Sequence, residues 1–285
     1  MVEVTSRRIV VIGSTGFVGN AVLNASRLDG LQTLGVDRSQ VDLTAPDADR
    51  RLASLLHADD AVVFAAAEAP CKSIESLERN LKIALCVIRA FEQCAVAYLL
   101  NVSSDAVYLD SREPLTEASP TGPSNWHGAM HVAREALLNA TGVPTLHLRP
   151  TLIYGAGDPH NGYGPNQFMS RMRRGEDIEL FGDGEERRDH VHIADVAKVA
   201  LAALRQGVTG SLNVASGETR SFREIAERVV EVSAAKIRVT SKPRSGPMPH
   251  GGFRPISITR LQTVLPNYAP MLVLEGVERE VSHRG

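Results

Sequence analysis

The sequence predicts an α/β protein: a doubly wound parallel sheet with a smaller C-terminal lobe. Three observations carry that expectation. Apolar, strand-like runs alternate with helix-patterned segments through the first half of the chain. Two of those runs show no polar alternation, as expected where helices cover both faces of a sheet. The first run ends in a glycine-rich turn that opens a helix.

In order, Arg8–Ile12 is a β-branched run that stops at Gly13, and Phe17–Leu28 has helical apolar spacing. Thr33–Val36 reads as a second short strand and Ala48–Leu56 as a helix. Ala61–Ala67 is an unbroken apolar strand, Ile74–Glu92 a long helix, and Ala97–Val102 another buried strand. Gly128–Leu138 is a helix and Thr145–Leu148 a strand. Strands alternating with helices imply parallel pairing through right-handed crossovers. The second half is less regular, with Gly- and Pro-rich stretches at Gly155–Pro165 and Lys242–Gly252. In doubly wound sheets such loops lie over the carboxyl ends of the strands, where ligands bind. The expected division is a dinucleotide-binding core over residues 1–150 and a mainly substrate-binding lobe over 151–285. Residues of about 189–215 are expected to return to the core.

Composition narrows the class. With 31 Lys+Arg against 33 Asp+Glu, the net charge of −2 lacks the basic excess of a nucleic-acid binder. Hydrophobic residues at 43% and charged residues at 22% exclude global disorder. The longest apolar run, Ala61–Ala67, falls far short of the ~20 residues of a membrane span. The N-terminal segment, Met1–Arg8, leads into too short an apolar stretch for a signal peptide. Cys71, Cys86 and Cys94 are odd in number and lack metal-type spacing, which points to a reducing, cytoplasmic compartment.

The glycine turn reads Gly13-x-x-Gly16-x-x-Gly19. Gly13 turns the chain off its strand, Gly16 lets the backbone approach a pyrophosphate, and Gly19 lets the helix pack close to the sheet. Thr15, Phe17 and Val18 lie between them and join the candidate cofactor surface. Asp37, some twenty residues on at the end of the next strand, completes the dinucleotide pattern. A carboxylate there accepts ribose hydroxyls and repels a 2′-phosphate, which favours NAD over NADP. Arg38 beside it is either a phosphate partner or a solvated flank of the adenine.

The glycine spacing resembles that of the short-chain dehydrogenase/reductase superfamily. Further stretches resemble its extended branch, the NAD-dependent epimerase/dehydratases of nucleotide sugars. They are Val41-Asp-Leu43, Phe64-Ala-Ala-Ala67, Asn101-Val-Ser-Ser-Asp-Ala-Val-Tyr108 and Pro114-Leu-Thr-Glu117. Leu148-Arg-Pro-Thr-Leu-Ile-Tyr-Gly155, Arg188-Asp-His-Val-His-Ile-Ala-Asp195 and Leu212-Asn-Val-Ala-Ser-Gly217 extend the likeness over nearly the whole chain. The resemblance implies that Asp42 and Leu43 border the adenine and that Ala65, Ala66 and Ala67 line the cofactor ribose. It implies that Ser104 is the catalytic hydroxyl that holds the reacting sugar oxygen. Ser103 and Ser104 also end a buried strand on the side where ligands gather, although a turn cap is the alternative for Ser104.

The family's Tyr-x-x-x-Lys dyad is absent. The corresponding stretch reads Ser124-Asn-Trp-His-Gly-Ala-Met-His131, which puts His127 at the tyrosine position and His131 at the lysine position. A tyrosine near pKa ~10 needs a neighbouring cation to exchange protons at neutral pH, whereas a histidine near ~6.5 does not. His127 is therefore a coherent acid/base group. His131, one turn on, lies on the same face and suits a hydrogen bond to the cofactor ribose. The pair lacks the glutamate of H-E-x-x-H and an obvious third ligand, so no metal is expected. His147, His190 and His192 read as structural histidines.

On the substrate side, the resemblance places Arg188 against the diphosphate of a nucleotide sugar. Arg187, Arg244 and Arg254 are further phosphate candidates, since guanidinium binds phosphate in a bidentate fashion. Asp105 and Asn166 complete the expected substrate contacts. Family dehydratases carry Asp-Glu after the catalytic hydroxyl; Asp105 is followed by Ala106, which disfavours dehydration. The expectation is an NAD-dependent nucleotide-sugar epimerase or ketoreductase that uses His127, and a homodimer built on the two long helices. The competing expectation is a non-catalytic NAD-binding sensor or scaffold. Neither nucleic acid nor membrane is an expected partner.

Overall fold

The computed structural model describes residues 8–282, so the segment Met1–Arg7 and the signal-peptide reading of it lie outside the described residues. Strand β1 (Ile9–Ile12) shows how the sheet is built. Successive side chains of a strand point to opposite faces. Ile9 and Val11 join one hydrophobic core, and Val10 and Ile12 join the other. The missing polar alternation thus has a cause: each face carries its own apolar layer. β3 (Ala61–Phe64) repeats the arrangement, with Ala61 and Val63 on one side and Val62 and Phe64 on the other.

Helices and strands alternate. α1 (Phe17–Leu28) leads to β2 (Thr33–Val36), and α2 (Ala48–Ala53) leads to β3. α3 (Ile74–Gln93) leads to β4 (Tyr98–Val102), and α4 (Trp126–Asn139) leads to β5 (Thr145–Pro150). Then come β6 (Leu152–Tyr154), α5 (Pro165–Arg173), β7 (Ile178–Phe181), β8 (Arg187–His192), α6 (Ile193–Arg205) and β9 (Gly210–Val214). β10 (Thr219–Ser221), α7 (Phe222–Val232), β11 (Val239–Lys242), β12 (Phe253–Arg254), α8 (Thr259–Val264) and α9 (Val273–Ser282) end the described chain. Six strands form one sheet in the order β2-β1-β3-β4-β5-β9, with every neighbouring pair parallel. α1 and α6 cover one face, and α2, α3 and α4 the other. The direction of winding reverses between β1 and β3, where doubly wound sheets leave a crevice at their carboxyl ends.

β8 organises a second sheet, pairing with β6, β10 and β12, while β7 and β11 form a short parallel ribbon. α5, α7 and α9 enclose a third core around Phe168, Phe222 and Val277. After β8, the chain returns through α6 to β9 beside β5. No helix among the described residues is long and apolar enough to cross a membrane.

Of the element ends that differ from the sequence expectation, three have a visible cause. The strand expected over Ala61–Ala67 stops at Phe64 because the Arg134 guanidinium holds the Ala66 carbonyl (3.1 Å) out of the ladder. The helix expected over Ala48–Leu56 stops at Ala53, in a turn tied by Leu55 N–H to the Leu52 carbonyl. α4 starts at Trp126, ahead of the expected Gly128, because Asn125 caps it by accepting the Gly128 N–H (2.9 Å).

Candidate active site

Two adjoining cavities open at the carboxyl ends of β1, β3 and β4 and share Gly16, Ala65 and Ala67. The first, about 340 Å³, is walled by Gly13, Thr15, Asp37, Arg38, Leu43 and Ala66. The second, about 630 Å³, takes in Phe17, Val18, Ser104, Asp105, His127 and His131. Its far wall carries His160, Arg188, His250 and Arg254.

The cofactor end is made of backbone. Gly13 sits at φ +89°, where a side chain is strained, and a Cβ there would lie 2.6 Å from Ala66 Cα. At Gly19 a Cβ would lie 2.1 Å from the Gly13 carbonyl oxygen, so only glycine lets α1 pack this close to the turn. Gly16 caps α1 with no side-chain bond, which leaves the first-turn N–H groups free to meet an anion. A dinucleotide fits this cradle: the glycines bring the turn, α1 and the residues after β3 close together, and the open amides at the start of α1 suit the charge of a pyrophosphate.

Asp37 stands on the rim. Its Oδ1 accepts Ser39 Oγ (2.6 Å) and Ser39 N–H (2.8 Å), and these bonds hold the carboxyl below the usual range. Oδ2 has no protein partner among the described residues. Arg38 turns to Asp42 (3.3 Å), and both are solvent-exposed at the pair. The structure does not bring Asp42 into the cavity wall. Its carboxylate accepts Thr44 N–H (3.0 Å) and Thr44 Oγ1 (2.7 Å), and of Asp42 and Leu43 only Leu43 lines the cavity.

The catalytic end is made of side chains. Ser104 is half-buried; its Oγ accepts the Ala106 N–H (3.1 Å) and donates to Asp105 (3.4 Å), capping a one-turn helix at Asp105–Val107. It is thus both a cap and a cavity hydroxyl. His127 lies in the first turn of α4, and its Nδ1 accepts the main-chain N–H of Cys71 (3.4 Å). Its ring meets His131 edge-on, with centroids 4.7 Å apart. Burial lowers the His127 pKa; Asp105 opposes this, while Arg134 and His160 add to it. Burial pushes His131 well below the ordinary range, and His127 and Arg134 push it further. Both imidazoles are neutral at pH 7.

Sequence reasoning missed what lies beneath them. Arg134 is fully buried and donates to the Ala66 carbonyl (3.1 Å) and to Asn101 Oδ1 (3.0 Å), with its guanidinium over the Phe64 ring. It forms no ion pair among the described residues, and burial lowers its pKa to about 10. Glu135 pairs with Arg149 (2.6 Å) and accepts the Ser103 hydroxyl (2.6 Å). Burial alone would raise Glu135, but the Arg149 and Ser103 bonds outweigh it and hold the carboxylate ionised. Arg149 also donates to Tyr108 Oη (3.0 Å), which donates to Asn213 (2.6 Å). One network therefore ties β4, α4, β5 and β9 behind Ser104. The signal was present: Arg134 and Glu135 follow His131 at three and four residues, on its helical face.

Arg188 is buried on the cavity wall and only loosely held, 3.5 Å from Glu186 and 3.9 Å from Asp105. Arg254 reaches the same wall, but its guanidinium is spent on Asp105 (3.1 Å), on the Asp105 carbonyl (2.6 Å) and on Asp110. Asn166 does not line the cavity: it accepts the Gly155 N–H (3.0 Å) and donates to Asp158 (2.7 Å), pinning the 155–158 loop. Arg187 points outward to Glu224 (3.1 Å), and Arg244 lies behind Glu186 (3.5 Å). His160 and His250, from the two Gly/Pro-rich loops, are cavity imidazoles the motifs did not mark.

A glycine cradle at a switch point, continuous with an imidazole-lined pocket, defines a dinucleotide-dependent enzyme of the doubly wound class. The family model of the NAD dependent epimerase/dehydratase family matches residues 9–215, and the chain belongs to that family. It is 25% identical to a dTDP-4-dehydro-6-deoxy-D-allose reductase of Streptomyces bikiniensis, over 95% of this chain and 94% of the relative. It is 28% identical to a UDP-glucose 4-epimerase of Azospirillum brasilense, over 82% and 80%. In fold it is similar to the UDP-glucose 4-epimerase of Thermotoga maritima (TM-score 0.84, 21% identity, 97% of this chain and 98% of that one).

Proposed function

We propose that the protein is an NAD-dependent nucleotide-sugar epimerase or ketoreductase in which His127 replaces the usual tyrosine as the acid/base group. The observation that supports this most is the continuity of the glycine cradle with a pocket holding Ser104, His127 and Arg188. Bound NAD supplies or takes the hydride. The α1 amides and the alanines after β3 seat its pyrophosphate and ribose, and Asp37 selects it over NADP. Ser104 Oγ holds the reacting sugar oxygen and His127 serves its proton. His131, neutral, offers the cofactor ribose a hydrogen bond in place of a lysine's charge. Arg188, with little to hold it inside the protein, meets the diphosphate.

We read residues 1–150 as the cofactor core and 151–285 as mainly the substrate lobe, with α6 and β9 belonging to the core. A homodimer through α3 and α4 accords with the exposure of Ile74, Leu85 and Trp126 on these helices. A cytoplasmic setting accords with three free thiols. The test is turnover of UDP-, dTDP- and GDP-sugars and their 4-keto forms with NAD(H), beside NAD binding alone. Turnover in either direction supports the enzyme. NAD binding without turnover of any of them overturns it in favour of a sensor.

A further inference from the structure

We infer that His127 presents Nε2–H to the cavity and acts as a neutral hydrogen-bond donor to the oxygen of a sugar ketone under reduction. The inference rests on the proposed function for the reaction, though not for the proton position. It departs from that function in one respect: the ring donates a hydrogen bond and leaves the proton transfer to solvent. In a neutral imidazole one ring nitrogen carries the proton and the other accepts. The Cys71 main-chain N–H points at Nδ1 (3.4 Å), so Nδ1 is the acceptor and the proton sits on Nε2. His127 lines the cavity, and Nε2 is the ring nitrogen left to meet a ligand.

The surroundings keep the ring in that state. On its own helix, His131 stands edge-on and the buried Arg134 lies beyond it. From the 155–164 loop, His160 adds a further repulsion to any positive charge on the ring. Asp105, on the turn after β4, is the opposing anion, and Arg254 (3.1 Å) already claims its carboxylate. A second proton on the ring would have to go on Nδ1 and displace the Cys71 N–H.

An Nε2–H cannot take a proton from a sugar hydroxyl. It can donate to the oxygen of a ketone, as preorganised donors do wherever negative charge develops. The balance is then complete. Bound NADH would supply the hydride, a hydrogen with its electron pair, to the carbonyl carbon. The carbonyl π pair moves onto oxygen against Nε2–H and Ser104 Oγ. The proton that completes the hydroxyl comes from solvent at the open mouth of the cavity.

Nitrogen-15 NMR of the histidine-labelled holoprotein with NADH reads the proton position directly, with His127→Gln identifying the signal. The expected result is a protonated Nε2 and an unprotonated Nδ1. Cys71→Ala, which keeps the main-chain N–H, leaves the signal in place, and Cys71→Pro shifts the proton toward Nδ1. Kinetics give the second arm. Glutamine donates through its amide but cannot act as a base, so His127→Gln retains ketone reduction to within about tenfold, whereas His127→Ala loses about 10²–10³. A proton on Nδ1, or a His127→Gln variant as inactive as His127→Ala, overturns the inference. Absence of turnover in the native protein, with the Nε2 proton confirmed, overturns the reductase role and leaves the proton assignment standing.

Discussion

The two ends of the cavity are built from different materials. The cofactor end is backbone: Gly13, Gly16 and Gly19 fall within one turn, closed by Ala65–Ala67 from the adjoining strand end. The substrate end is side chain, drawn from segments far apart in sequence, among them Ser104, His127, Arg188 and His250. A backbone cradle tolerates no added atom, because no rotamer can relieve a clash with a carbonyl. A side-chain pocket accepts changed chemistry so long as its buried supports persist. On the proposed reading, two histidines stand in for a Tyr/Lys dyad while Arg134 and the Glu135–Arg149 pair hold the floor.

The largest expected effect tests the backbone end. Gly19→Val puts a Cβ 2.1 Å from the Gly13 carbonyl oxygen, and the helix must move off the turn. A loss on the order of 5 kcal/mol in urea unfolding is expected, the scale of exceptional single substitutions, together with loss of NAD binding. A fold that absorbs valine there would end the distinction between the two ends.

The next tests the supports of the side-chain end. Glu135→Gln leaves Arg149 buried without its counter-charge (side chains 9% and 6% exposed). Breaking one partner of a buried pair costs about 3–5 kcal/mol. Replacing both by apolar residues, Glu135→Leu with Arg149→Met, is expected to recover much of that loss. If the single variant unfolds like the native protein, Ser104 is not braced from behind.

His127 itself should matter to chemistry and little to folding. His127→Ala lowers turnover by about 10²–10³, with NAD affinity unchanged in calorimetry. The pH dependence follows from the lowered pKa: the neutral ring is the form present through neutral pH. Activity therefore holds through neutral pH and falls only as the pH drops below the ordinary histidine range of about 6.5, where a second proton would displace the Cys71 N–H from Nδ1 and shift the ring. A decline that begins above that range would mean a ring held by a carboxylate instead of by burial.

The same contrast governs what the sequence reveals. α1 and β2 fall on their expected residues, and the glycine spacing places the cradle, because those constraints act between neighbours in the chain. The end of β3 is set by Arg134, 68 residues away, which no local pattern contains. Asp42 and Asn166 have the right residue type near the right loop, but their polar atoms are consumed by Thr44 and by the 155–158 turn. Arg188 and Arg254 look alike in sequence. Only the fold shows that Asp105 and Asp110 hold Arg254 closely, while Arg188 is held only loosely by Asp105 and Glu186.

Arg188→Ala sharpens that last difference. A charge-assisted bond to the diphosphate is worth about 1.5–3 kcal/mol, roughly tenfold to over a hundredfold in affinity for a UDP- or dTDP-sugar. NAD affinity should not change. Arg254→Ala, by contrast, should lower thermal stability, since it leaves Asp105 without its closest cation. Equal losses of substrate affinity with no loss of stability in either variant would place both arginines on the diphosphate.

Asp37 carries the smallest expected effect, because its carboxylate is at the rim, where water and salt screen it. Its two oxygens are in different situations: Oδ1 holds the Ser39 turn, and Oδ2, on the proposed reading, is the one that meets the ribose. Asp37→Ala would remove both and confuse loop with ligand. Asp37→Asn keeps an acceptor for the Ser39 N–H and hydroxyl while removing the charge that repels a 2′-phosphate. NADP(H) should then bind more tightly than to the native protein and NAD(H) somewhat more weakly. In the native protein the preference for NAD(H) should narrow as salt is raised, since the discrimination is a repulsion between exposed charges. Arg38 has its own partner in Asp42 and does not offset that repulsion (3.3 Å). If the native protein prefers NADP(H) in calorimetry, Arg38 must leave Asp42 for the phosphate, and the rim would be a side-chain device like the far end of the cavity.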